Sequence, residues 1–364
     1  MANLASELAE FGVEVCYVAH EEMSPDRRAQ GWEAPSLGKA TVKLIPTEAD
    51  ALTLANLAPE DVVHICQGIR GNGVVSAAQS VLRKLSRKQI VVMETVDDHG
   101  FVGYLKRLVY SRLFKTAEAG LLGVLATGAN TAEWVAARGV NRDKIFPFAY
   151  FLPEAVPAEV SAEAKSSRFR FIFVGQFIER KRLDLLIDAL GALRESHDFL
   201  LTVVGSGPLE QKLRERAESE LPDRIDWIGS LPMTQVRKEM KAADCLVLPS
   251  RHDGWGAVVS EALMSGTPAI VSDGCGAAAV VEASGEGGVF RSGEIYALRQ
   301  MLTERVGRGK VLEAERKTLS DWATCLAVPM GAQYLINIIA HLDGENKDLP
   351  KPNVPWFSTF DRKI

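Results

Sequence analysis

Residues 245–272 have the sequence CLVLPSRHDGWGAVVSEALMSGTPAIVS, which predicts two strands separated by one helix. The strands, at 245–248 and 269–272, are short apolar runs of the kind that is buried on both faces of a sheet. Residues 257–265 between them have the length and apolar spacing of a helix, and a polar loop containing glycine precedes that helix. A strand, a helix and a second strand in this order predict a parallel sheet covered by helices.

The same alternation extends over the rest of the chain. In the second half it predicts a doubly wound α/β domain, with strands at 170–174, 200–204 and 225–228 and helices at 183–194, 209–220 and 234–242. In the first half it predicts buried strands at 13–19, 62–66, 89–94 and 122–127, the first preceded by a helix at 4–10. A linker-like composition at 156–168 divides the chain into domains at 1–155 and 169–330, and a helix and Pro-rich tail follow at 331–364.

Composition limits the class of protein. The 364 residues exceed what one hydrophobic core usually holds, and 47% apolar with 24% charged residues is the balance of a globular protein. The net charge of −5 argues against a nucleic acid partner, since such proteins usually have a basic excess. The five cysteines form no C-x-x-C pair, so no metal site is predicted. The N-terminus lacks the basic region of a signal peptide, and the apolar stretches are too short to span a bilayer, so we expect a cytoplasmic protein.

The loop and helix start after the strand at 245–248 are a candidate binding site. Ligands of α/β proteins bind at the carboxyl ends of the strands, and a helix that starts near Gly256 directs free backbone amides toward that edge. Glycine there allows a ligand to approach the backbone closely. One turn further on, Glu261 could accept two hydrogen bonds from a vicinal diol such as that of ribose. Asp253, in the loop, could accept from another polyol.

Two other turns are expected at the same edge of the sheet, and their sequences indicate a binding role for one and a structural role for the other. Arg180, Lys181 and Arg182 follow the strand at 170–174 and precede a helix. Cations oppose the dipole at a helix start, so a phosphate bound there would explain them, whereas a solvated charge run is the alternative. The turn at 205–208 resembles a dinucleotide fingerprint, but Glu210 occupies the position of its third glycine, which excludes an NAD site. We expect that turn to be structural.

Together these motifs resemble the retaining glycosyltransferases of family 4, which have the GT-B fold of two Rossmann-like doubly wound domains facing a cleft. The resemblance is detailed over 169–288. Its most specific element is the E-x7-E motif, here Asp253 and Glu261, followed by an A-x-x-x-G-x-P pattern that ends at Pro268. The glycine turns after the strands at 170–174 and 200–204 are two further matches.

The resemblance implies a donor site for a nucleotide-diphosphate sugar that requires no metal or other cofactor. Lys181, with Arg180 as a helper, would neutralise the diphosphate, and Asp253 would contact hydroxyls of the transferred sugar. Glu261 would hold the ribose. Fixed cations and amides would stabilise the charge that develops on the leaving diphosphate. The remaining implied contacts lie at the helix start and beside the base: Gly256, Ala257, Val258, Val259, Gly229 and Ser230.

The first domain departs further from the family. Family members often have a histidine near the reacting sugar, which implies that role for His99, with an ordinary loop histidine as the alternative. The chain starts inside the equivalent of the first helix, so the first strand, central in a doubly wound sheet, is expected to be missing. Gln176 stands where the family often has Arg, and Asp253 stands for the usual Glu. The resemblance also implies that 331–364 crosses back toward the first domain.

Residues 104–115 have helical spacing with Lys and Arg among Leu, Val and Phe. A basic amphipathic helix can lie on an anionic membrane surface, and peripheral contact of this kind would suit a lipid-linked acceptor. An ordinary domain helix with its cations pointing outward is the alternative.

The sequence therefore predicts a retaining, hexosyl-type glycosyltransferase of polysaccharide biosynthesis. It would transfer a sugar from a nucleotide-diphosphate sugar to a saccharide or lipid-linked acceptor. One alternative is a catalytically weak nucleotide-sugar-binding or regulatory protein, which Gln176 and the missing strand motivate. Another is a GT-B sugar-nucleotide epimerase, which would interconvert the donor without an acceptor.

Overall fold

The structure, a computed structural model, describes residues 1–23, 36–71, 73–98, 100–154, 168–343 and 349–358. It has two compact units: unit 1 comprises Met1–Phe151 and Val328–Ser358, and unit 2 comprises Leu152–Ala327. The chain thus passes from one unit to the other at Phe151 and again at Ala327. The expected linker at 156–168 lies outside the described residues except for Arg168.

Unit 2 is built on a six-stranded parallel sheet in the order β12-β11-β10-β7-β8-β9. The strands are β7 (Phe169–Val174), β8 (Phe199–Val204), β9 (Ile225–Gly229), β10 (Cys245–Leu248), β11 (Ala269–Ser272) and β12 (Gly287–Phe290). The helices between and after them are α6 (Leu183–Gly191), α7 (Glu210–Glu220), α8 (Met233–Ala242), α9 (Ala257–Met264), α10 (Ala278–Ser284), α11 (Ile295–Gly307) and α12 (Glu313–Trp322).

The strand order creates a switch point in unit 2. The chain runs from β7 through β8 to β9 on one side, and then returns to place β10 against the other edge of β7. The loops after β7 and β10 therefore leave the sheet side by side. In doubly wound folds this is where ligands bind. All four residues of β10 and of β11 are buried, as their continuous apolar sequences predict.

Where the structure describes unit 1, it has two parallel sheets instead of one. The strands β1 (Cys16–Ala19) and β2 (Thr41–Leu44) form a pair, and a second sheet has the order β3-β4-β5-β6. The strands of that second sheet are β3 (His64–Gln67), β4 (Gln89–Glu94), β5 (Leu121–Thr127) and β6 (Ile145–Phe148). The helices of unit 1 are α1 (Ala2–Glu10), α2 (Glu48–Leu57), α3 (Gly73–Lys84), α4 (Gly100–Ala117), α5 (Thr131–Ala136), α13 (Val328–Asp343) and α14 (Pro355–Ser358).

The prediction for the first strand is wrong in two respects. It begins at Cys16 instead of residue 13, and its residues alternate between exposed and half-buried positions instead of being buried. In the described part of the chain, β1 pairs only with β2, and β3 pairs only with β4. A strand that is open at one edge and paired with an exposed neighbour has few side chains to cover it, so its apolar sequence does not produce burial.

Candidate functional site

The switch point of unit 2 brings Lys181 and Asp253 together. Lys181 ends a short 3₁₀ helix, Glu179–Lys181, in the loop after β7, and Asp253 lies in the loop after β10. The Lys181 Nζ donates a hydrogen bond to the Asp253 Oδ2. Their side chains are only 12% and 13% exposed, so the charges are partly withdrawn from water and interact more strongly than a surface pair would.

Backbone contacts join the same two loops. The Arg251 N–H donates to the Arg180 carbonyl at 2.7 Å, and the Arg180 guanidinium donates to the His252 carbonyl at 3.2 Å. Arg180 also lies 3.7 Å from the Asp253 Oδ1, so two cations face one carboxylate. Arg182 adopts a left-handed conformation (φ 54°) and bonds to Asp184 instead. Of the three consecutive cations, Arg180 and Lys181 therefore face Asp253.

A third loop, which sequence analysis missed, supports the loop of Asp253. The Asp253 N–H donates to the Gly274 carbonyl and the Gly276 N–H donates to the Asp253 carbonyl, both at 2.9 Å. A Cβ at Gly276 would lie 2.0 Å from the Gly254 carbonyl oxygen, so the close contact needs glycine. The sequence signal was the glycine pair in Asp-Gly-Cys-Gly, directly after β11.

Helix α9 starts at the same edge, and Gly256 is its N-cap. Gly256 has φ 85°, and a Cβ there would lie 2.8 Å from the Cys275 Sγ, so backbone conformation and internal packing already require glycine without any ligand. No side chain caps this helix start. The Val259 N–H donates to the Gly256 carbonyl at 2.9 Å, so the predicted amides at Ala257 and Val258 are better placed than that of Val259 to bind an anion.

Glu261 is buried, being 6% exposed, and its Oε2 has no hydrogen-bond partner among the described residues. Burial raises the pKa of its carboxyl to about 7, and the positive charge of Arg237 opposes that increase. The residues that line the narrow crevice beside it are Pro153, Arg237, Met264 and Ser265. Neither Lys181 nor Asp253 lines this crevice, so the structure pairs those two residues but does not bring Glu261 into the same set of contacts.

The predicted base-binding turn follows β9. The Gly229 carbonyl accepts from the Gly205 N–H at 2.8 Å, and the Ser230 and Ser206 hydroxyls are 2.9 Å apart. The turn at 205–208 packs so tightly that a Cβ at Gly205 would lie 2.0 Å from the Gly175 carbonyl oxygen. Packing alone therefore explains why residue 205 is glycine, in agreement with the structural role expected from the sequence.

In unit 1, His99 lies outside the described residues. Its neighbour Asp98 accepts hydrogen bonds from the Trp134 Nε1 at 2.9 Å and from the Arg138 guanidinium at 2.5 Å. The Arg138 guanidinium also stacks over the Trp134 ring at 4.0 Å. These contacts anchor the loop after β4, and no sequence motif indicated them because the partners are about forty positions away.

Two further features of the described residues concern metal ligands and the thiol of Cys275. Among the described residues, no group of three or more His, Cys, Asp and Glu side chains is arranged to hold a metal ion. Burial raises the pKa of the Cys275 thiol to about 12, so this cysteine below the Asp253 loop is a packing residue and not a thiolate nucleophile.

Comparison with known proteins shows which proteins this chain is similar to. The family described as Glycosyl transferases group 1 matches residues 158–306. Glycogen synthase of Mycobacterium tuberculosis is 28% identical over 241 residues, 64% of this chain and 51% of that protein. The 2-deoxystreptamine glucosyltransferase of Streptomyces kanamyceticus is 34% identical over 125 residues, 32% of each protein. The matches thus span about half of these curated relatives or less.

Solved structures match over more of the chain. A glycosyltransferase from Rickettsia africae has a TM-score of 0.70 at 14% identity, with 94% of each chain covered. The HepE protein of Anabaena, solved in complex with UDP, has a TM-score of 0.69 at 13% identity, covering 91% of this chain and 100% of that one. Likeness at such low identity establishes the fold alone. Residues 158–306 of this chain are therefore similar to the group 1 glycosyltransferases, and the chain has the GT-B fold.

Proposed function

We propose that this protein transfers a sugar from a nucleoside diphosphate sugar to a saccharide or lipid-linked acceptor, with retention of the anomeric configuration. The observation that supports this most directly is the meeting of Lys181 and Asp253 at the switch point of unit 2, beside the uncapped start of α9. A cation, a carboxylate and free amides at one sheet edge are the groups that a phosphate and a neighbouring sugar require.

In this proposal the cations and amides bind the diphosphate. Lys181 and Arg180 supply positive charge, and Ala257 and Val258 supply backbone N–H donors. When the bond between the anomeric carbon and the diphosphate oxygen breaks, the electron pair remains on the diphosphate. Groups already in place stabilise that charge without rearranging, which lowers the barrier. No metal or other cofactor takes part in this step as proposed.

Asp253 has a second part in the proposed site. It now accepts from Lys181, and a sugar hydroxyl could donate to its other oxygen, which faces Arg180 at 3.7 Å. A carboxylate can accept several hydrogen bonds at once, so a bound donor would share Lys181 between Asp253 and a phosphate. This arrangement would orient the sugar relative to its leaving group.

Glu261 is the proposed acceptor for the ribose hydroxyls. Its unpartnered Oε2 is a buried acceptor without a donor, a state that costs free energy until a hydrogen bond forms. The adjoining crevice, which Arg237 also lines, has no room for even a water molecule, so contact with ribose requires the crevice to widen. A lipid-linked acceptor would further require contact with a membrane, and the surface proposed for that contact is described separately below.

The test is ligand binding followed by turnover. UDP-sugars come first because HepE was solved with UDP, and GDP- and ADP-sugars follow. The sugar nucleotide that most raises the melting temperature is then incubated with saccharide and lipid-linked acceptors, and the linkage of the product is determined by NMR. We expect Glu261→Ala to abolish the thermal shift; a variant that shifts as much as the parent refutes the ribose assignment.

The alternatives give different results in the same assays. Binding without transfer to any acceptor supports a nucleotide-sugar-binding or regulatory protein. Conversion of the donor sugar in the absence of an acceptor supports an epimerase. If no sugar nucleotide binds at all, the proposed function is wrong.

A further inference from the structure

Helix α4 has an outer face made of large apolar side chains. All of them are 47% or more exposed: Phe101 (77%), Val102 (64%), Tyr104 (52%), Leu105 (47%), Leu108 (53%) and Val109 (47%). We call these six residues the apolar face of α4. Single exposed apolar residues are ordinary, but a contiguous group on one helix marks a surface that is used for contact.

The face continues into two cations. Residues 101, 105, 108, 112 and 115 are spaced by four, three, four and three positions, which places them along one side of a helix. Arg112 and Lys115, at the end of this line, are exposed. Neither forms an ion pair with any residue in the described part of the chain. Their charges are therefore available to an external partner.

The other two cations of α4 point back toward the preceding loop. The Lys106 Nζ donates to the Asp97 carbonyl at 2.7 Å, and the Arg107 guanidinium donates to the Asp98 carbonyl at 2.8 Å. Lys106 and Arg107 are therefore half-buried, whereas an ordinary helix was expected to have its Lys and Arg pointing outward. Between these anchors and Arg112, Leu108 and Val109 face the solvent, whereas Tyr110 packs against Trp134.

We propose that the apolar face of α4, together with Arg112 and Lys115, binds the surface of an anionic lipid bilayer. The sequence 100–117 contains four cations and no Asp or Glu, although the whole chain has a net charge of −5. Anionic headgroups attract such a segment, whereas they repel the rest of the protein. The apolar side chains enter the boundary between headgroups and acyl chains, which is how interfacial amphipathic helices bind.

The position of α4 in the fold gives this contact a use. The helix begins directly after the loop that follows β4, so its first turn lies at the carboxyl edge of the four-stranded sheet of unit 1. Phe101 and Val102 are in that turn, whereas Arg112 and Lys115 are toward the other end. A bilayer held against this face would lie beside that edge, within reach of a lipid-linked acceptor. No helix among the described residues is long and apolar enough to cross a bilayer, and the proposed contact needs none.

The test is sedimentation of the full chain with vesicles, without any sugar nucleotide. We expect binding to vesicles of phosphatidylglycerol, little binding to vesicles of phosphatidylcholine, and a steep loss of binding as salt is added. Leu105→Glu with Leu108→Glu should lower the partition coefficient by at least about tenfold, since each leucine withdrawn from the interface loses an apolar contact. Arg112→Glu with Lys115→Glu should lower it by a similar factor on phosphatidylglycerol.

Matched variants in unit 2 distinguish binding through α4 from effects of net charge or of an exposed tryptophan elsewhere in the protein. Lys212→Glu with Lys238→Glu makes the same change in charge at exposed positions of unit 2 and should bind as the parent does. Phe101→Trp should show a blue shift of its fluorescence on vesicles, whereas Tyr296→Trp, at a position 76% exposed in unit 2, should not. Unchanged melting temperatures verify that the variants are folded.

Two results would overturn the proposal. One is failure of the parent to bind phosphatidylglycerol vesicles, or binding that the α4 variants do not reduce. The other is a dimer in analytical ultracentrifugation that Leu105→Glu with Leu108→Glu dissociates, which would assign the apolar face to a second copy of the chain. Both results are independent of sugar transfer, so the membrane contact and the enzymatic activity fail or hold separately.

Discussion

The carboxyl edges of the two large sheets differ in how their loops are held. In unit 2 the loops after β7, β10 and β11 bond to one another through backbone groups, and the sheet is continuous. In the described part of unit 1 the strands form two sheets, and side chains hold the loop after β4: Asp98 bonds to Trp134 and Arg138, and Lys106 and Arg107 donate to loop carbonyls. The resemblance to known glycosyltransferases is detailed in unit 2 and loose in unit 1.

This difference has a physical reason. A backbone hydrogen bond between loops tolerates many side chains but requires glycine where two chains approach closely, as at Gly205 and Gly276. Such loops leave a recognisable glycine pattern in the sequence. A loop anchored by side chains, as at Asp98, leaves only residues such as Asp, Lys and Arg in the sequence, and these are too common to indicate a contact. Motif recognition therefore favours the half whose loops bond to one another.

The largest expected effect concerns the proposed donor site at the carboxyl edge of the unit 2 sheet. Lys181→Ala should lower kcat/KM for the best sugar nucleotide by about 10²–10³, the usual loss when one fixed charge that stabilises a leaving group is removed. Lys212→Ala, at an exposed position of α7, is the control and should change kcat/KM by less than a factor of about two. A Lys181→Ala enzyme with parental kcat/KM would contradict the proposal that Lys181 binds the diphosphate. It would also mean that the carboxyl edge of unit 2 does not differ in function from that of unit 1.

The next effect is a dependence of stability on pH. Because burial raises the pKa of Glu261 from 4.5 to about 7, the folded state binds a proton more tightly than the unfolded state does. Stability from this group therefore falls as pH rises from 4.5 through 7. Glu261→Gln should remove that loss and stabilise the ligand-free protein by up to roughly 3 kcal/mol at pH 8, with little effect near pH 4.

Urea unfolding at the two pH values measures this prediction. Glu282→Gln, at an exposed position of α10, provides the control. The same substitution at Glu261 should weaken sugar nucleotide binding by about 10- to 100-fold, because a hydrogen bond to a charged group is lost. Equal stability of Glu261→Gln and parent at pH 8 would show that the carboxyl is not held in a desolvated position.

A smaller effect measures the contact between loops directly. Gly205 and Gly293 both have positive φ, but a Cβ at Gly205 would overlap the Gly175 carbonyl, whereas one at Gly293 meets nothing within 4 Å. Gly293→Ala should therefore cost about 1 kcal/mol from backbone strain alone. Gly205→Ala should cost about 1–3 kcal/mol more in the free energy of unfolding. Equal costs would mean that the two loops are not in contact.

The smallest effect concerns unit 1. Asp98→Asn keeps an acceptor for Trp134 but removes the charge that faces Arg138, so we expect a loss of about 1–2 kcal/mol in stability. Sugar nucleotide affinity, measured by isothermal titration, should stay at the parental value because the proposed donor site is in unit 2. A large loss of affinity would contradict the separation of the two edges.

Much of unit 2 could be predicted from the sequence. Strands buried on both faces produce continuous apolar runs, so β7 at Phe169–Val174 and β10 at Cys245–Leu248 were expected within one residue. The fold class was confirmed, and residues 158–306 match the model of a glycosyltransferase family, as the resemblance implied. The roles of individual site residues stay predictions.

What could not be predicted depends on contacts between distant positions. Gly274 and Gly276 hold Asp253 through backbone hydrogen bonds, although they lie about twenty positions further along the chain. The periodicity of apolar residues in a sequence does not reveal contacts between such distant positions. Strand β2 was missed, and all four of its residues are exposed. On α4 the spacing predicted a helix correctly, but only the structure showed that many of its large apolar side chains face outward.

The mutual bonding of the loops in unit 2 has a consequence for the thermodynamics of binding. The Arg251 N–H is bonded to the Arg180 carbonyl and the Phe177 N–H to the Ser206 carbonyl, so these backbones are already ordered before a ligand arrives. Little conformational entropy remains to be lost there on association. More of the interaction energy then appears as measured affinity, and association should be rapid because no slow rearrangement of these backbones precedes it.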